Sequence, residues 1–269
     1  MSKLTYYGES KPTYHGDLVG QSYGTDNDRP PFVLLHGLTY DRRQWRPLLE
    51  ELRRIDPERR ALTLDLPGHG ESPRLDSYAA DDVAAVIRQA VVEAGLDDPV
   101  LVGHSLGGVL ATAYAGSHPA RGVVNLDQPL LVSDFGIYLR EVETQLRGPS
   151  YLEVWEELLT AMGIDLLPEA MRYLVSSGTT PRQDLLLGYW NDVVVSSAGE
   201  LQERWTNILE RLRANGTYYC HVGSAEVSPA YRTWLTNILP EATITTLPGS
   251  GHFVHLSRPA ELASLLTAS

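Results

Sequence analysis

Short apolar runs alternate with segments of helical periodicity along the first half of the chain. The runs hold almost no polar residues, which is typical of strands buried on both faces of a parallel sheet, and they lie at 32–35, 61–64 and 99–102. The segments that follow them space their apolar residues as helices do, at 45–55, 77–96 and 107–117. A hairpin is predicted ahead of these elements, from Tyr14 to Tyr23. The alternation predicts an α/β fold, with a mostly parallel sheet covered by helices on both faces.

The pattern changes after a further strand predicted at 122–126. From residue 130 to residue 215 the spacing is helical, no buried strand is recognisable, and three of the chain's five tryptophans fall in this segment. The alternation then returns with elements at 217–222, 230–239, 242–247 and 258–266. We therefore expect an α/β core formed by residues 1–129 and 216–269, interrupted by a helical insertion at 130–215.

Composition and charge narrow the class of protein. The chain has 269 residues, and 43% of them are hydrophobic, which is enough to bury a large core. A formal net charge of -12 disfavours a nucleic-acid partner, because such binding depends on neutralising phosphates. The single cysteine, Cys220, cannot form an internal disulfide, the first ten residues lack the apolar core of a signal peptide, and no stretch reads as a membrane span. We therefore expect a cytoplasmic globular protein with no membrane partner, whose oligomeric state the sequence does not define.

The segment Gly103-His104-Ser105-Leu106-Gly107 has the form G-x-S-x-G. It directly follows a predicted strand and opens a predicted helix, which is the context of a nucleophile elbow. A serine at such a sharp turn has a strained backbone, and the residues two positions before and after it must be small so that strand and helix can approach. We predict that Ser105 is a catalytic nucleophile.

Three further motifs occur in chain order around the elbow, namely His36-Gly37, the segment 65–72 and the glycine-rich segment 249–253. With these motifs the whole chain resembles the α/β-hydrolase family. The resemblance implies a mostly parallel sheet flanked by helices, with the insertion as the variable helical cap of that fold. It also implies an oxyanion hole formed by the backbone N–H groups of Leu38 and Leu106.

Among the eight histidines, His252 is the best candidate for the general base. It lies in a glycine-rich loop after the last predicted strand and before the last helix, so the nucleophile precedes the histidine in the chain, as in relatives of this fold. A neutral imidazole can accept the serine proton and return it to the leaving group. His255 lies three residues further on, beside a helix start, and we expect it to pack or cap.

The acid that orients the base has two candidates. Asp127 follows the strand predicted at 122–126, and Glu226 lies in the loop after the strand predicted at 217–222, where most relatives carry an aspartate. Either carboxylate can accept a hydrogen bond from the Nδ1–H of His252. We favour Asp127, because it sits on a rigid strand end whereas Glu226 has one more torsion to order.

A serine nucleophile favours acyl transfer, so we expect a carboxylic ester or lactone to be cleaved through an acyl-serine, with no metal and no organic cofactor. The insertion is aromatic and apolar, and Trp155, Tyr189 and Trp190 are expected to line the pocket of an apolar small-molecule substrate. A carbon–carbon bond hydrolase acting on a vinylogous diketone, or a cofactor-free perhydrolase, would use the same residues. A hydrolase-fold ligand receptor is the alternative without catalysis.

Overall fold

The computed structural model describes residues 11–25 and 27–268. The first ten residues, on which the expectation of no signal peptide rests, lie outside the described residues. Within the described part, eight strands form one sheet. Their bounds are β1 Thr13–His15, β2 Leu18–Tyr23, β3 Phe32–Leu35, β4 Ala61–Leu64, β5 Val100–His104, β6 Gly122–Leu126, β7 Tyr218–Gly223 and β8 Thr243–Thr246.

The strand order in the sheet is β1-β2-β4-β3-β5-β6-β7-β8. The first two strands form the predicted hairpin, β2 pairs antiparallel with β4, and every other pair is parallel. The predicted α/β fold with a mostly parallel sheet is therefore confirmed. Because β3, β5 and β6 are parallel neighbours, their carboxyl ends meet at one edge of the sheet, which is where ligands bind in open α/β sheets.

Helices cover both faces of this sheet. The α-helices of the described residues are α1 Arg46–Ile55, α2 Ala80–Glu93, α3 Leu106–Ser117, α4 Ser133–Glu141, α5 Glu143–Arg147, α6 Tyr151–Ala161, α7 Glu169–Gly178, α8 Gln183–Val195, α9 Ala198–Ala214, α10 Pro229–Ile238, α11 Val254–Ser257 and α12 Pro259–Thr267. Two short 3-10 helices span Arg42–Trp45 and Ile164–Leu166. Among the described residues, no helix combines the length and the apolar character needed to cross a membrane.

The core consists of two apolar layers, one on each face of the sheet. Successive side chains of a strand point to opposite faces, so Val33 and Leu35 join the layer under α2 and α3, whereas Phe32 and Leu34 join the layer under α1 and α12. All four residues of β3 are buried. The continuous apolar runs of the sequence are thus explained by burial on both faces.

The second helix is shorter than the predicted range 77–96. Before its first turn, the Ala79 amide donates to the Ser77 hydroxyl, which keeps that segment in a turn. At the other end Gly95 has a φ of +64°, and its amide and that of Leu96 donate back to the carbonyls of Val92 and Val91. This pairing is a Schellman motif, which ends the helix even though the apolar spacing of the sequence continues beyond it.

All regular elements described between residues 133 and 214 are helical. The helix α9 packs along α3, where the Arg211 Nε–H donates to the Gly116 carbonyl at 2.8 Å. The helices α4, α5 and α6 build a separate small apolar cluster around Leu139, Leu146 and Val154. The segment predicted as an insertion therefore lies partly against the sheet layers and partly on its own small core.

The close approach of β5 and α3 depends on two glycines. A Cβ atom on Gly103 would overlap the backbone of Gly107, and a Cβ atom on Gly107 would overlap the carbonyl of Leu35 in the neighbouring strand. Backbone atoms on both sides cannot move aside without displacing a whole element. The turn between strand and helix therefore requires glycine at both positions.

Gly107→Ala is expected to lower the free energy of unfolding by about 3 kcal/mol, because the added methyl group must push α3 away from the sheet. Urea unfolding followed by circular dichroism measures this difference. Gly178→Ala is the matched control, since a Cβ atom there meets nothing within 4 Å. Equal stability of the two variants would contradict the requirement for close approach.

Candidate active site

Ser105 occupies the turn between β5 and α3. Its backbone has a φ of 52° and a ψ of -121°, a conformation that non-glycine residues adopt only under strain. The turn is held by the Ser105 amide, which donates to the Leu126 carbonyl at 3.1 Å, and by the Gly108 amide, which donates back to the Ser105 carbonyl at 2.8 Å. The serine side chain thus stands at the amino terminus of a helix, where backbone N–H groups favour negative charge.

His252 and Asp127 form a direct hydrogen bond. The distance between His252 Nδ1 and Asp127 Oδ2 is 2.9 Å, and the two side chains are only 16% and 17% exposed. Asp127 follows β6 with a φ of 56°, and its other oxygen accepts a hydrogen bond from the Ser224 amide. The carboxylate is therefore fixed from two sides.

The charge of Asp127 determines which imidazole nitrogen carries the proton. Burial raises the pKa of Asp127, but the hydrogen bond and charge of His252 and the Ser224 amide lower it, and the resulting pKa lies below the ordinary aspartate value. An ionised carboxylate can only accept hydrogen bonds. In the neutral ring the hydrogen therefore sits on Nδ1 of His252, and Nε2 carries the lone pair that can accept a proton.

Glu226 does not reach the histidine. Its side chain is 72% exposed and accepts hydrogen bonds from Arg232 at 2.8 Å and from the Thr246 hydroxyl at 2.9 Å. Arg232 lies on α10, and Thr246 is the last residue of the edge strand β8. Of the two acids considered from the sequence, the structure brings Asp127 to His252 and directs Glu226 to solvent.

A cavity of about 750 Å³ connects the predicted residues. Its wall contains the nucleophile candidate, the His–Asp pair, both oxyanion-hole candidates and all three pocket candidates, namely Ser105, His252, Asp127, Leu38, Leu106, Trp155, Tyr189 and Trp190. Trp155 and Trp190 stack with ring centroids 6.5 Å apart. The charged side chains in the wall are Asp134, Asp192 and Arg204 beside Asp127, and the cavity is otherwise mainly apolar.

The two candidate oxyanion donors have free amides. Leu106 is the first residue of α3, so its N–H has no acceptor inside the helix. Neither this amide nor that of Leu38 donates to any group within residues 11–25 and 27–268. Both residues border the cavity beside Ser105, and both amides are therefore available to a ligand.

His252 Nε2 is buried and forms no hydrogen bond in the described part of the chain, so it is not bonded to the hydroxyl of Ser105. In unliganded enzymes such catalytic hydrogen bonds are often long and shorten when the substrate binds. None of the residues that the structure describes competes for the same nitrogen. It is therefore free to accept a proton.

Two further histidines surround the base, His104 of the elbow and His255, which was expected to pack or cap and which packs here. His104 donates from Nε2 to the His252 carbonyl at 2.9 Å, and its ring lies 4.7 Å from that of His252. His255 packs between His104 and Trp45, at centroid distances of 4.4 and 4.8 Å. His104 thus holds the backbone of the base, a role visible only in three dimensions, because 148 residues separate the two histidines.

Burial keeps the rings of His104 and His255 neutral. Burial, and to a smaller degree the neighbouring histidines, lower the pKa of His104 well below its ordinary value and that of His255 to about 3. The described residues contain no group of three or more His, Cys, Asp or Glu side chains that could hold a metal ion. At neutral pH the uncharged His255 ring therefore packs between aromatic neighbours, and the uncharged His104 ring also donates its hydrogen bond to the His252 carbonyl.

An open, mostly parallel sheet with a serine at a strained strand-to-helix turn and a His–Asp pair beside it defines an α/β protein with a nucleophile elbow. The model of the Alpha/beta hydrolase family matches residues 32–265. The chain therefore belongs to the alpha/beta hydrolase family.

Individual relatives are distant. The sn-1-specific diacylglycerol lipase of Mus musculus is 24% identical over 255 residues, covering 90% of this chain and 81% of that protein. Several other relatives are matched over less than half of their own length.

Solved structures resemble the whole fold. The structure described for recognition and ring-cleavage of the Pseudomonas quinolone signal by AqdC has a TM-score of 0.76 at 19% identity, covering 96% of this chain and 98% of that one. Est816, described as an N-acyl homoserine lactone degrading enzyme, has a TM-score of 0.66 at 19% identity, with coverages of 93% and 96%. At these identities the likeness shows the shared fold alone.

His255→Phe is expected to reduce the loss of stability on acidification. Free histidine titrates near pH ~6.5, so between that pH and about 3 the unfolded chain binds a proton that the buried His255 does not. Stability therefore falls as the pH falls through this window, by about 1.4 kcal/mol for this residue at one pH unit below ~6.5. The phenylalanine variant removes this contribution.

Urea unfolding at pH 7 and pH 5.5 measures the difference. Ser257→Ala, on the same short helix α11, changes no titratable group and serves as the control. If His255→Phe lost as much stability between the two pH values as the control does, the buried neutral histidine would not be a source of acid sensitivity.

Proposed function

We propose that this protein is a serine hydrolase that cleaves a carboxylic ester or lactone of an apolar small molecule through an acyl-serine. The observation that carries the proposal is the 2.9 Å hydrogen bond between His252 Nδ1 and Asp127 in the wall of the same cavity as Ser105. Nucleophile, base and orienting acid are the three groups that acyl transfer to serine requires.

The chemistry proceeds in two halves. Ser105 Oγ attacks the substrate carbonyl carbon while its proton passes to His252 Nε2, and the carbonyl electron pair moves to the oxygen. The N–H groups of Leu38 and Leu106 stabilise this oxyanion. Collapse re-forms the carbonyl and breaks the bond to the leaving oxygen, which takes the proton from Nε2. Water, deprotonated by the same nitrogen, then attacks the acyl-serine carbon and forms a second oxyanion. Its collapse breaks the bond to Ser105 Oγ, which takes the proton back from Nε2, and the acid is released.

Asp127 supports the base at each transfer. Its negative charge stabilises the imidazolium that forms when Nε2 takes a proton, and its hydrogen bond keeps the ring in the required tautomer. A low pKa maintains this charge throughout the neutral range. The acid does not itself take up the proton.

The cavity supports an apolar substrate. A volume of about 750 Å³ is typical of pockets for small organic molecules, and Trp155, Trp190 and Leu130 contribute apolar surface to its wall. The helical segment 130–215 supplies many of these side chains and serves as the specificity cap in this proposal. A net charge of -12 further favours a small-molecule partner over nucleic acid or an anionic membrane.

Two similar proteins are consistent with this class, since one is a diacylglycerol lipase and the other is an N-acyl homoserine lactone degrading enzyme. A panel of p-nitrophenyl esters of increasing acyl length, N-acyl homoserine lactones and a vinylogous diketone distinguishes the activities. Cleavage of the diketone with slow ester turnover would replace the proposal by carbon–carbon bond hydrolysis. Absence of turnover together with failure of a fluorophosphonate to label Ser105 would favour a ligand receptor.

Ser105→Ala is expected to lower turnover of the best ester at least about 1000-fold, because the covalent route is lost. Mass spectrometry of the wild type treated with a fluorophosphonate should find the adduct on Ser105. Ser257→Ala is the control, since its hydroxyl lies outside the cavity wall. An adduct on another residue, or residual turnover near the control level, would disprove the assignment.

Asp127→Asn is expected to lower kcat roughly 1000-fold, because a neutral amide no longer stabilises the imidazolium or its tautomer. Glu226→Gln, which removes the other acid considered, should leave kcat near the wild-type value. Steady-state kinetics of both variants on the same ester give the comparison. Loss of activity in Glu226→Gln with retention in Asp127→Asn would reverse the assignment of the acid.

A further inference from the structure

We propose that Thr179 and Thr180 of the helical segment 130–215, together with His69, are positioning residues that hold the oxyanion loop in its active geometry. The oxyanion loop is the segment Gly37–Tyr40, which contains the Leu38 amide. This inference rests on the proposed function, because it assigns these residues to the stabilisation of the oxyanion.

The oxyanion loop contains a conformation that must be held from outside. Thr39 has a φ of 73°, in the left-handed region that is unfavourable for a β-branched residue. Such a backbone conformation persists only where several contacts with surrounding residues hold it in place. The contacts of Thr39 therefore decide whether the loop keeps its shape.

Every polar group of Thr39 has a partner, and none of the partners belongs to the loop itself. Its N–H donates to His69 Nε2 at 3.0 Å. Its carbonyl accepts from the Thr180 amide at 2.8 Å, and its hydroxyl lies 2.6 Å from the Thr179 hydroxyl. Two of the three contacts thus come from the stretch between α7 and α8, more than 130 residues away in sequence.

His69 is fixed as an acceptor. Its Nδ1 lies 3.0 Å from the Pro67 carbonyl, which can only accept, so Nδ1 carries the hydrogen and Nε2 the lone pair. Burial, and then the nearby His36, lower the pKa of His69 to about 3, so the ring stays neutral. Two further side chains hold the same turn. Tyr189 of α8 donates to the Pro67 carbonyl, and Arg182, the residue before α8, donates to the Gly68 carbonyl, each at 3.0 Å.

The geometry of Thr39 is transmitted to the Leu38 amide. That N–H belongs to the peptide plane of the Gly37 carbonyl, which accepts from His36 Nδ1 at 2.7 Å and from the Tyr40 amide at 3.3 Å. Because the peptide is planar, holding the carbonyl directs the N–H to the opposite side. Rotation of Thr39 would move the Tyr40 amide and with it the donor, and an oxyanion requires donors at about 2.7–3.1 Å.

Paired variants isolate the two contacts. Thr180→Pro removes the amide hydrogen together with the side-chain hydroxyl, and Thr180 precedes Pro181, which already restricts it to extended backbone. Its control, Thr180→Ala, keeps the amide. Thr179→Val removes the hydroxyl at nearly constant shape, and its control, Thr179→Ser, keeps the hydroxyl.

With p-nitrophenyl butyrate as the probe, Thr180→Pro and Thr179→Val are expected to lower kcat about tenfold with little change in KM, because only the transition state uses the oxyanion donors. The controls should retain most of the wild-type kcat. A trifluoromethyl ketone, whose serine adduct carries an oxyanion, should bind the two variants more weakly by a similar factor. An unchanged kcat, or a rise in KM at constant kcat, would overturn the proposal.

Amide hydrogen exchange at Thr39, measured by NMR, gives a readout that does not depend on turnover. We expect exchange about tenfold faster in Thr179→Val and Thr180→Pro than in their controls. If Thr180→Pro fails to fold, the Thr179 pair still decides the question. If exchange is faster in the two variants but the protein hydrolyses no ester, the contacts hold the oxyanion loop and the proposed function is rejected. If exchange is equal in all four variants, these contacts do not hold the loop and the present proposal is rejected.

Discussion

The approach of α3 to the sheet within backbone contact distance is the constraint on which the site depends. Gly103 and Gly107 permit it, because any side chain at either position would overlap backbone atoms. The chain must therefore reverse from strand to helix within one residue, and Ser105 takes the strained φ of 52° that this reversal demands. The same geometry places the serine side chain above the sheet edge and the first amides of α3 beside it, so the nucleophile and one oxyanion donor arise from a single packing requirement.

Parallel register brings the remaining groups to the same edge. His104 and Leu126 are register partners in β5 and β6, so Ser105 and Asp127 are the first residues beyond two adjacent strand ends. Both have positive φ values, which turn their side chains out of the strand direction. Leu126 is in turn paired with Val222 of β7, but Glu226 lies four residues beyond that pair and its side chain is bound at the surface. The strand register thus places Asp127, and not Glu226, beside the end of the strand that carries Ser105.

The helical segment above the sheet contributes hydrogen bonds as well as a cavity wall. The Met162 carbonyl accepts from the His252 amide at 2.9 Å, and Thr180 donates to Thr39. A buried hydrogen bond contributes only about 1 kcal/mol on average, but leaving a buried amide without a partner costs more. The loops of the base and of the oxyanion donor therefore both have partners in this segment, and displacement of the segment would leave polar groups of both loops unsatisfied.

The sequence by itself determined the alternation of strands and helices and the nucleophile elbow, because these depend on periodicity and on residues that are neighbours in the chain. It also indicated His252 by its place after the last strand. It could not decide between Asp127 and Glu226, nor show that His104, His69 and Thr180 hold the backbone around the site. Those outcomes depend on the reach of side chains, on burial, which keeps the rings of His104 and His69 neutral, and on the acceptor that faces each ring nitrogen. Only the tertiary structure brings together residues that lie more than 100 positions apart. The arrangement of the site is the one in which the buried donors and acceptors of these residues pair with each other.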